Sequence, residues 1–422
     1  MSRSDAPSAA ADAHLSADDG DRRARAAALA CMIGLAVALG VGRFAFTPLL
    51  PLMLGDGSIG LKAGSWLASA NYAGYFVGAV SCAALRVAPA RMVRFGLAAT
   101  VLLTAAMGVG HLLSVWLVVR FVAGVVSAWT FVFVSQWGLR RLTELHAPEW
   151  SGVIYAGPGV GIVLTGLIGS ALAGHRAAPG WLGFAALSAV LSVAIWRTFG
   201  SVPAPAVASP AAPARHAASS AAPPDARRRR ADAAWLVVLY GMPGFGYIIT
   251  ATFLPVIARA ALPAGSPWPD LFWPMFGAAL IVGAIAASRL PGHWDNRRLL
   301  AAGCATQALG IAAGIVWPNA AGFSAGSALL GLPFTAITLF AMREARRLHG
   351  DRAAGLMGYA TASYGVGQIL GPLVAAPLTA RFGSFSPALW VAAGALLAGA
   401  AGFAATAARG RTPPRAPPRA QP

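Results

Sequence analysis

Long apolar runs alternate with short polar stretches along the whole chain. Twelve of these runs are long enough to cross a bilayer as a helix, which takes about 20 mostly apolar residues. Runs of such length and uniformity are unlike the one-sided helices of a soluble core, so the pattern predicts an all-α membrane protein with twelve transmembrane helices. The runs cover roughly 27–54, 64–87, 92–110, 114–139, 150–173, 181–199, 234–259, 269–290, 298–316, 320–343, 354–380 and 384–406.

The twelve runs are predicted to form two six-helix bundles, 27–199 and 234–406. Between them lies 200–233, a Pro- and Ala-rich stretch with the composition of a flexible linker. Polar tails, 1–26 and 407–422, flank the two bundles. A plan of two matched halves is expected to place a binding site between them, near the bilayer midplane.

The composition agrees with a membrane location, because 57% of the residues are apolar and 11% are charged, whereas a soluble domain has about 25% charged residues. The chain carries 32 basic and 14 acidic residues, a net charge of +18. With the N-terminus placed in the cytoplasm, 26 basic residues fall on the cytoplasmic side and four on the other. Membrane proteins show this positive-inside bias, so we expect both termini in the cytoplasm, the lipid bilayer as surroundings, and no nucleic-acid partner.

Two arginines, Arg43 and Arg120, lie inside predicted spans. An arginine at the centre of a spanning helix costs about 2.5–3.5 kcal/mol on insertion scales, so it faces the bundle interior or water. All fourteen acidic residues fall in loops, tails or helix ends, so neither arginine has an obvious carboxylate partner. Two hypotheses follow. The arginines attract an anionic substrate into the cavity, or they bond to backbone carbonyls, glutamine or tyrosine and hold helices together.

Other polar side chains are predicted at a similar depth. Residues four apart share one face of a helix, which pairs Asn71 with Tyr75 and Tyr364 with Gln368. Buried amides and phenols require hydrogen-bond partners, and these partners are either a substrate or one another. The candidate substrate-binding residues are Arg43, Asn71, Tyr75, Tyr247, Thr250, Tyr364 and Gln368.

Several short motifs resemble those of the major facilitator superfamily. Arg120 and Gly124 fit an Arg-xxx-Gly signature, and Gly157, Pro158 and Gly161 fit the Gly-Pro-x-x-Gly signature often called the antiporter motif. The segments 40–44, 48–51, 70–75, 246–255 and 364–372 are similar to those of the YbfB/YjiJ-like branch. The loop 83–91 departs from the superfamily pattern, because it lacks the usual glycine and acidic residue.

This resemblance implies a secondary active transporter of the bacterial inner membrane that moves a small organic solute by alternating access. It implies gating or coupling roles for Arg120, Gly124, Gly157, Pro158 and Gly161, and the antiporter-type motif favours export. A co-transported proton is compatible with the family, although no Asp, Glu or His lies within a span to carry it. We expect a monomer.

Alternatives from other classes are a sensor built on a transport fold and a membrane-embedded enzyme. The sequence shows no nucleophile, base or metal constellation within the spans. We therefore expect no enzyme activity, catalytic residue, metal or cofactor. A sensor would bind its ligand without moving it.

Overall fold

The structure is a computed structural model that describes residues 6–200, 224–350 and 353–409. Helices make up nearly all of this part of the chain, and it contains no β-strand. The first half comprises α1 (Ala6–Leu35), a π-helix (Ala36–Val41), α2 (Phe46–Gly55), α3 (Leu61–Ser81), α4 (Pro89–Val109), α5 (Leu113–Glu144), α6 (Ser151–Ala171) and α7 (Ala177–Ile195). The second half comprises α8 (Pro224–Ala261), α9 (Trp268–Ser288), α10 (Asn296–Val316), α11 (Ala320–Gly331), α12 (Phe334–His349), α13 (Ala353–Phe382) and α14 (Ser386–Arg409).

Each of the twelve predicted runs corresponds to one helical segment. The first consists of α1, the π-helix and α2, and the tenth consists of α11 and α12, which are separated at Pro333. Two helices begin well before their predicted runs. α1 starts within the predicted N-terminal tail, and α8 starts within the predicted linker, where alanine and arginine favour helix. Residues 1–5 of that tail, most of the linker (201–223), and 410–422 of the C-terminal tail lie outside the described residues.

Within the described ranges, ten segments are both long and apolar enough to span a membrane. The two that fall short in mean hydropathy are α3 and α13, which carry serines, tyrosines and an amide side chain along their length. These two helices pack against each other across the boundary between the halves. The least apolar spans therefore each pack one face against the other half.

In the described part of the chain, the halves meet mainly through α3 with α13, α6 with α9, and α2 with α8. The α6–α9 crossing depends on glycine. Gly159 of α6 and Gly277 of α9 approach each other so closely that a Cβ on either residue would lie 2.9 Å from the carbonyl oxygen of the other. Close backbone approach of this kind is how small residues join membrane helices.

The two ends of the bundle differ in how the halves contact each other. We call the end that holds the loops 82–88, 145–150 and 289–295 the arginine-rich end. At the opposite end, α2 packs on α8, whereas at the arginine-rich end α1 and α12 have their main packing partners within their own halves. The α2–α8 contact thus lies at the end opposite the arginine-rich one, whereas α6 and α9 also contact each other at the arginine-rich end, where a Cβ on Gly152 would lie 3.5 Å from Ser288 Oγ.

Candidate functional site

The first span is broken where Arg43 lies. The π-helix is followed by a turn through residues 42–45, and α2 begins at Phe46. Pro48 has no backbone N–H to donate to Phe44, and the Thr47 amide donates to the Phe44 carbonyl at 3.2 Å instead of reaching back to Arg43. The carbonyl of Arg43 is left without this usual helical donor, and a buried carbonyl must find another one.

Arg120 of α5 supplies that donor. Its guanidinium donates to the carbonyl oxygens of Gly42, at 3.3 Å, and Arg43, at 3.2 Å, and it lies 4.9 Å from the Phe46 ring centre. In turn, the Asn71 side-chain amide donates to the Arg120 carbonyl at 2.9 Å. Arg120 therefore links α5 to the break in the first span, as the structural hypothesis anticipates. The gating role implied by the family motif stays a prediction.

The Arg43 side chain crosses to the second half. Its Nη2 donates to Gln368 Oε1 at 2.9 Å. The guanidinium carbon lies 4.1 Å from the ring centre of Tyr75 and 5.1 Å from that of Tyr72. The side chain is 5% exposed, and Nε has no hydrogen-bond partner among the described residues. Arg43 is thus a buried cation that is held by rings and one neutral amide.

An aromatic row continues from Gln368 through the second half. Gln368 Nε2 donates to the Tyr247 hydroxyl oxygen. The Tyr247 ring stacks on Tyr364 at 5.8 Å and meets the edge of Phe334 at 4.9 Å. Tyr240 continues the row, with its ring centre 4.9 Å from that of Tyr364. The row places several aromatic surfaces beside a single positive charge.

The electrostatics of this region are one-sided. In the described part of the chain, the ion pairs of the second half join Arg259 to Asp270, Arg297 to Asp232 and Glu344, and Arg347 to Glu344. No ion pair in that part includes Arg43 or Arg120. A buried charge without an opposite charge is costly, and no ion pair among the described residues offsets this cost for Arg43.

Five of the seven predicted substrate-binding residues come together. Arg43, Tyr75, Tyr247, Tyr364 and Gln368 form one connected cluster across the two halves. The other two are not part of it. Asn71 bonds to α5, and the Thr250 hydroxyl has no partner among the described residues.

Sequence reasoning missed three members of this region. Tyr72 packs on Arg43, and its hydroxyl lies 2.9 Å from Thr252 Oγ1 of the other half. Phe334 packs on Tyr247. Helical spacing could have found Tyr72, because residues three apart, such as Tyr72 and Tyr75, also share a face. No local signal pointed to Phe334 or Thr252.

The motif glycines lie at close helix crossings. A Cβ on Gly124 would overlap the carbonyl oxygen of Asn71, and one on Gly157 would overlap that of Met32. A Cβ on Gly161 would lie 2.6 Å from the carbonyl oxygen of Ala36. Pro158 lies inside α6, which continues through it. These contacts join helices of the first half, and their predicted role in gating remains untested.

Comparison with known proteins agrees with this architecture. A family profile described as "Uncharacterised MFS-type transporter YbfB" matches residues 35–403. A solved structure of a mutant of the nucleoside transporter NupG superimposes with a TM-score of 0.70 at 14% sequence identity. That alignment covers 90% of this chain and 99% of the NupG chain. No curated protein matches the sequence. The NupG similarity shows the fold alone and carries no substrate to this chain.

Proposed function

Because the chain belongs to the YbfB family of major facilitator transporters, it is a secondary transporter of a small molecule, and we propose that its substrate is an organic anion bound at Arg43. The observation that carries the proposal is the environment of Arg43, a buried guanidinium whose partners among the described residues are one neutral amide and aromatic rings. Ionisable residues inside membrane proteins commonly mark a substrate pathway.

The contact between Arg43 and Gln368 suggests how binding is coupled to movement. Arg43 belongs to the first half and Gln368 to the second, so their hydrogen bond at 2.9 Å spans the boundary that moves in alternating access. A carboxylate accepts from arginine more strongly than a neutral amide does. The substrate anion would therefore replace Gln368 on Arg43 and change the contact between the halves.

We propose the arginine-rich end as the cytoplasmic side, with both termini in the cytoplasm of a bacterial cell and the protein in the inner membrane. The basis is the distribution of arginines, which follows the positive-inside rule. Cysteine labelling from each side, at exposed loop positions such as Gly57 and His293, tests this orientation. Labelling of both loops from the same side contradicts it.

A proton, if one is transported, would travel with the substrate. The described residues place no carboxylate beside Arg43, so an organic acid that crosses as an anion plus a proton requires no separate carrier group. Flux measured at pH 6 and pH 8 tests this coupling.

The Gly-Pro-x-x-Gly segment favours export as the direction of transport. Flux measured in vesicles of known orientation tests this direction. We also propose a monomer, which light scattering of the purified protein tests.

The decisive experiment combines binding with flux. Purified protein is screened by thermal shift against organic anions and cations, and the best anion is followed into proteoliposomes. We expect anions to stabilise the protein. Arg43→Gln should reduce flux at least tenfold, whereas the control Arg91→Gln, at an exposed position in the first turn of α4, should keep it.

Two results would overturn the proposal. Stabilisation by cations only would contradict an anion site, and full flux in Arg43→Gln would remove Arg43 from it. Binding without flux in well-folded protein would favour the sensor alternative, and chemical conversion of the bound compound would favour the enzyme alternative.

A further inference from the structure

A second buried donor belongs to Trp273, which packs on Phe44, the residue that follows Arg43 in the chain. The Trp273 side chain of α9 is fully buried, and its Nε1–H has no hydrogen-bond partner among the described residues. An indole N–H can only donate, and a buried donor without an acceptor is costly. Trp273 thus lacks an acceptor that a ligand could provide.

Phe44 connects the two donors. Its ring centre lies 5.3 Å from the Arg43 guanidinium carbon and 5.9 Å from the Trp273 ring centre. Arg43 belongs to the first half and Trp273 to the second. Phe44 thus contacts a donor-bearing side chain of each half.

Further aromatic side chains pack around Phe44 and Trp273. Phe334 contacts Phe44 at 6.4 Å and Phe276 at 5.7 Å, both edge to face. Trp273 stacks on Phe276 with nearly parallel rings, 5.1 Å apart. Phe334 is half-buried. Rings in such offset and edge contacts offer faces and edges that favour another ring over an aliphatic chain of the same size.

We propose that the substrate is an aromatic carboxylate with an oxygen acceptor at the far side of its ring. The carboxylate pairs with Arg43, the ring packs against Phe44 and Phe334, and the distal oxygen accepts from Trp273 Nε1. This inference rests on the proposed function, since it names the class of anion that Arg43 receives.

Three carboxylates test the aromatic ring and the distal oxygen separately. Benzoate and cyclohexanecarboxylate have the same charge and similar size, but only benzoate has an aromatic ring. 4-Hydroxybenzoate adds the distal oxygen. By calorimetry on the full chain in detergent, we expect benzoate to bind at least fivefold more tightly than cyclohexanecarboxylate, and 4-hydroxybenzoate to bind more tightly still.

Substitutions test which side chain produces each binding preference. Trp273→Phe should abolish the advantage of 4-hydroxybenzoate over benzoate. Trp181→Phe is the matched control, because Trp181 is also buried with an unpartnered Nε1 but lies in α7 of the first half. If Trp273→Phe does not fold, Phe334→Leu should reduce the preference for benzoate over cyclohexanecarboxylate.

The outcomes distinguish this inference from the proposed function. If benzoate and cyclohexanecarboxylate bind equally well to the wild type and neither binds to Arg43→Gln, the substrate is not specifically aromatic, and the proposed anion site at Arg43 stands. An unchanged advantage of 4-hydroxybenzoate in Trp273→Phe overturns the role of Trp273. Failure of all three carboxylates to bind overturns both the inference and the anion site proposed at Arg43.

Discussion

The guanidinium of Arg120 donates to the main-chain carbonyl of Arg43 at 3.2 Å, so two buried arginines meet at one break in the first span. Arg120 bonds to the backbone of the break, and the Arg43 side chain reaches the other half. The two residues look alike in sequence, yet the structure gives them different partners. We therefore expect their substitutions to differ.

Replacement of Arg120 should lower stability. Arg120→Leu leaves two buried carbonyls without their donors, and hydrogen bonds from a charged group are worth about 1.5–3 kcal/mol each, so we expect a loss of about 3 kcal/mol. Thermal unfolding in detergent measures it. Arg120→Lys keeps the charge but not the forked geometry, so it should restore less than half of the loss. Full recovery with lysine would contradict this role.

Replacement of Gln368 by glutamate should mimic a bound anion. Gln368→Glu places a carboxylate at the position that accepts from Arg43, and a buried pair of opposite charges is held strongly. We expect unchanged or raised thermal stability together with anion binding weakened at least tenfold, measured by calorimetry. Gln368→Asn, a shorter neutral amide, is the control and should retain measurable binding. Normal anion affinity in Gln368→Glu would show that the anion does not use Arg43.

Gly124 should not tolerate even a methyl group. In Gly124→Ala the new Cβ would overlap the Asn71 carbonyl oxygen, so α3 and α5 must move apart at a cost of about 1–3 kcal/mol. Gly183 of α7 is the matched control, because nothing lies within 4 Å of its Cβ position. Gly183→Ala should be neutral or stabilise by up to about 1 kcal/mol. Equal unfolding temperatures for the two variants would contradict the close crossing.

The buried carboxylate of Glu344 should be essential to the second half. Its Oε1 accepts from Arg297 Nε at 2.9 Å and from Arg347 Nη2 at 2.6 Å, and the residue is 1% exposed. Breaking a buried ion pair from one side costs about 3–5 kcal/mol. Glu344→Gln should therefore unfold at a clearly lower temperature than Glu149→Gln, which changes an exposed glutamate.

Asp56 should make stability sensitive to acid. Partial burial opposes ionisation of the Asp56 carboxyl. The Ala177 amide, at 3.0 Å, and the hydroxyl and amide of Ser58 donate hydrogen bonds to the carboxylate and outweigh this effect. The pKa of Asp56 therefore lies below its usual value. A lowered pKa stabilises the folded state above the unfolded pKa of about 3.9, and this contribution is lost as the pH falls through the folded value. The unfolding temperatures of wild type and Asp56→Asn should differ by a constant amount from pH 6 to pH 8 and converge below about pH 4. A difference that grows on acidification would contradict this sign.

Part of the site could be anticipated from local pattern. An arginine inside an apolar run needs a protein or water environment, which singled out Arg43 and Arg120. Spacing of four residues correctly placed Tyr364 and Gln368 together. The same reasoning grouped Asn71 with Tyr75, but the Asn71 amide bonds to α5 while Tyr75 packs on Arg43. Residues on one helical face can still reach different neighbours, because a face is wide enough to contact two helices.

The sequence by itself determined the number of spans, the helical class and the arginine-rich end. In a bilayer every backbone polar group must be satisfied internally, so long apolar runs can only become helices. Only the tertiary structure decided that Arg43 meets Gln368, that Arg120 bonds to the broken backbone, and that Trp273 lies beside Phe44. These contacts join helices that are far apart in the chain, and they depend on how side chains pack at a few helix crossings. The hydrophobic periodicity of a single helix carries no information about these crossings.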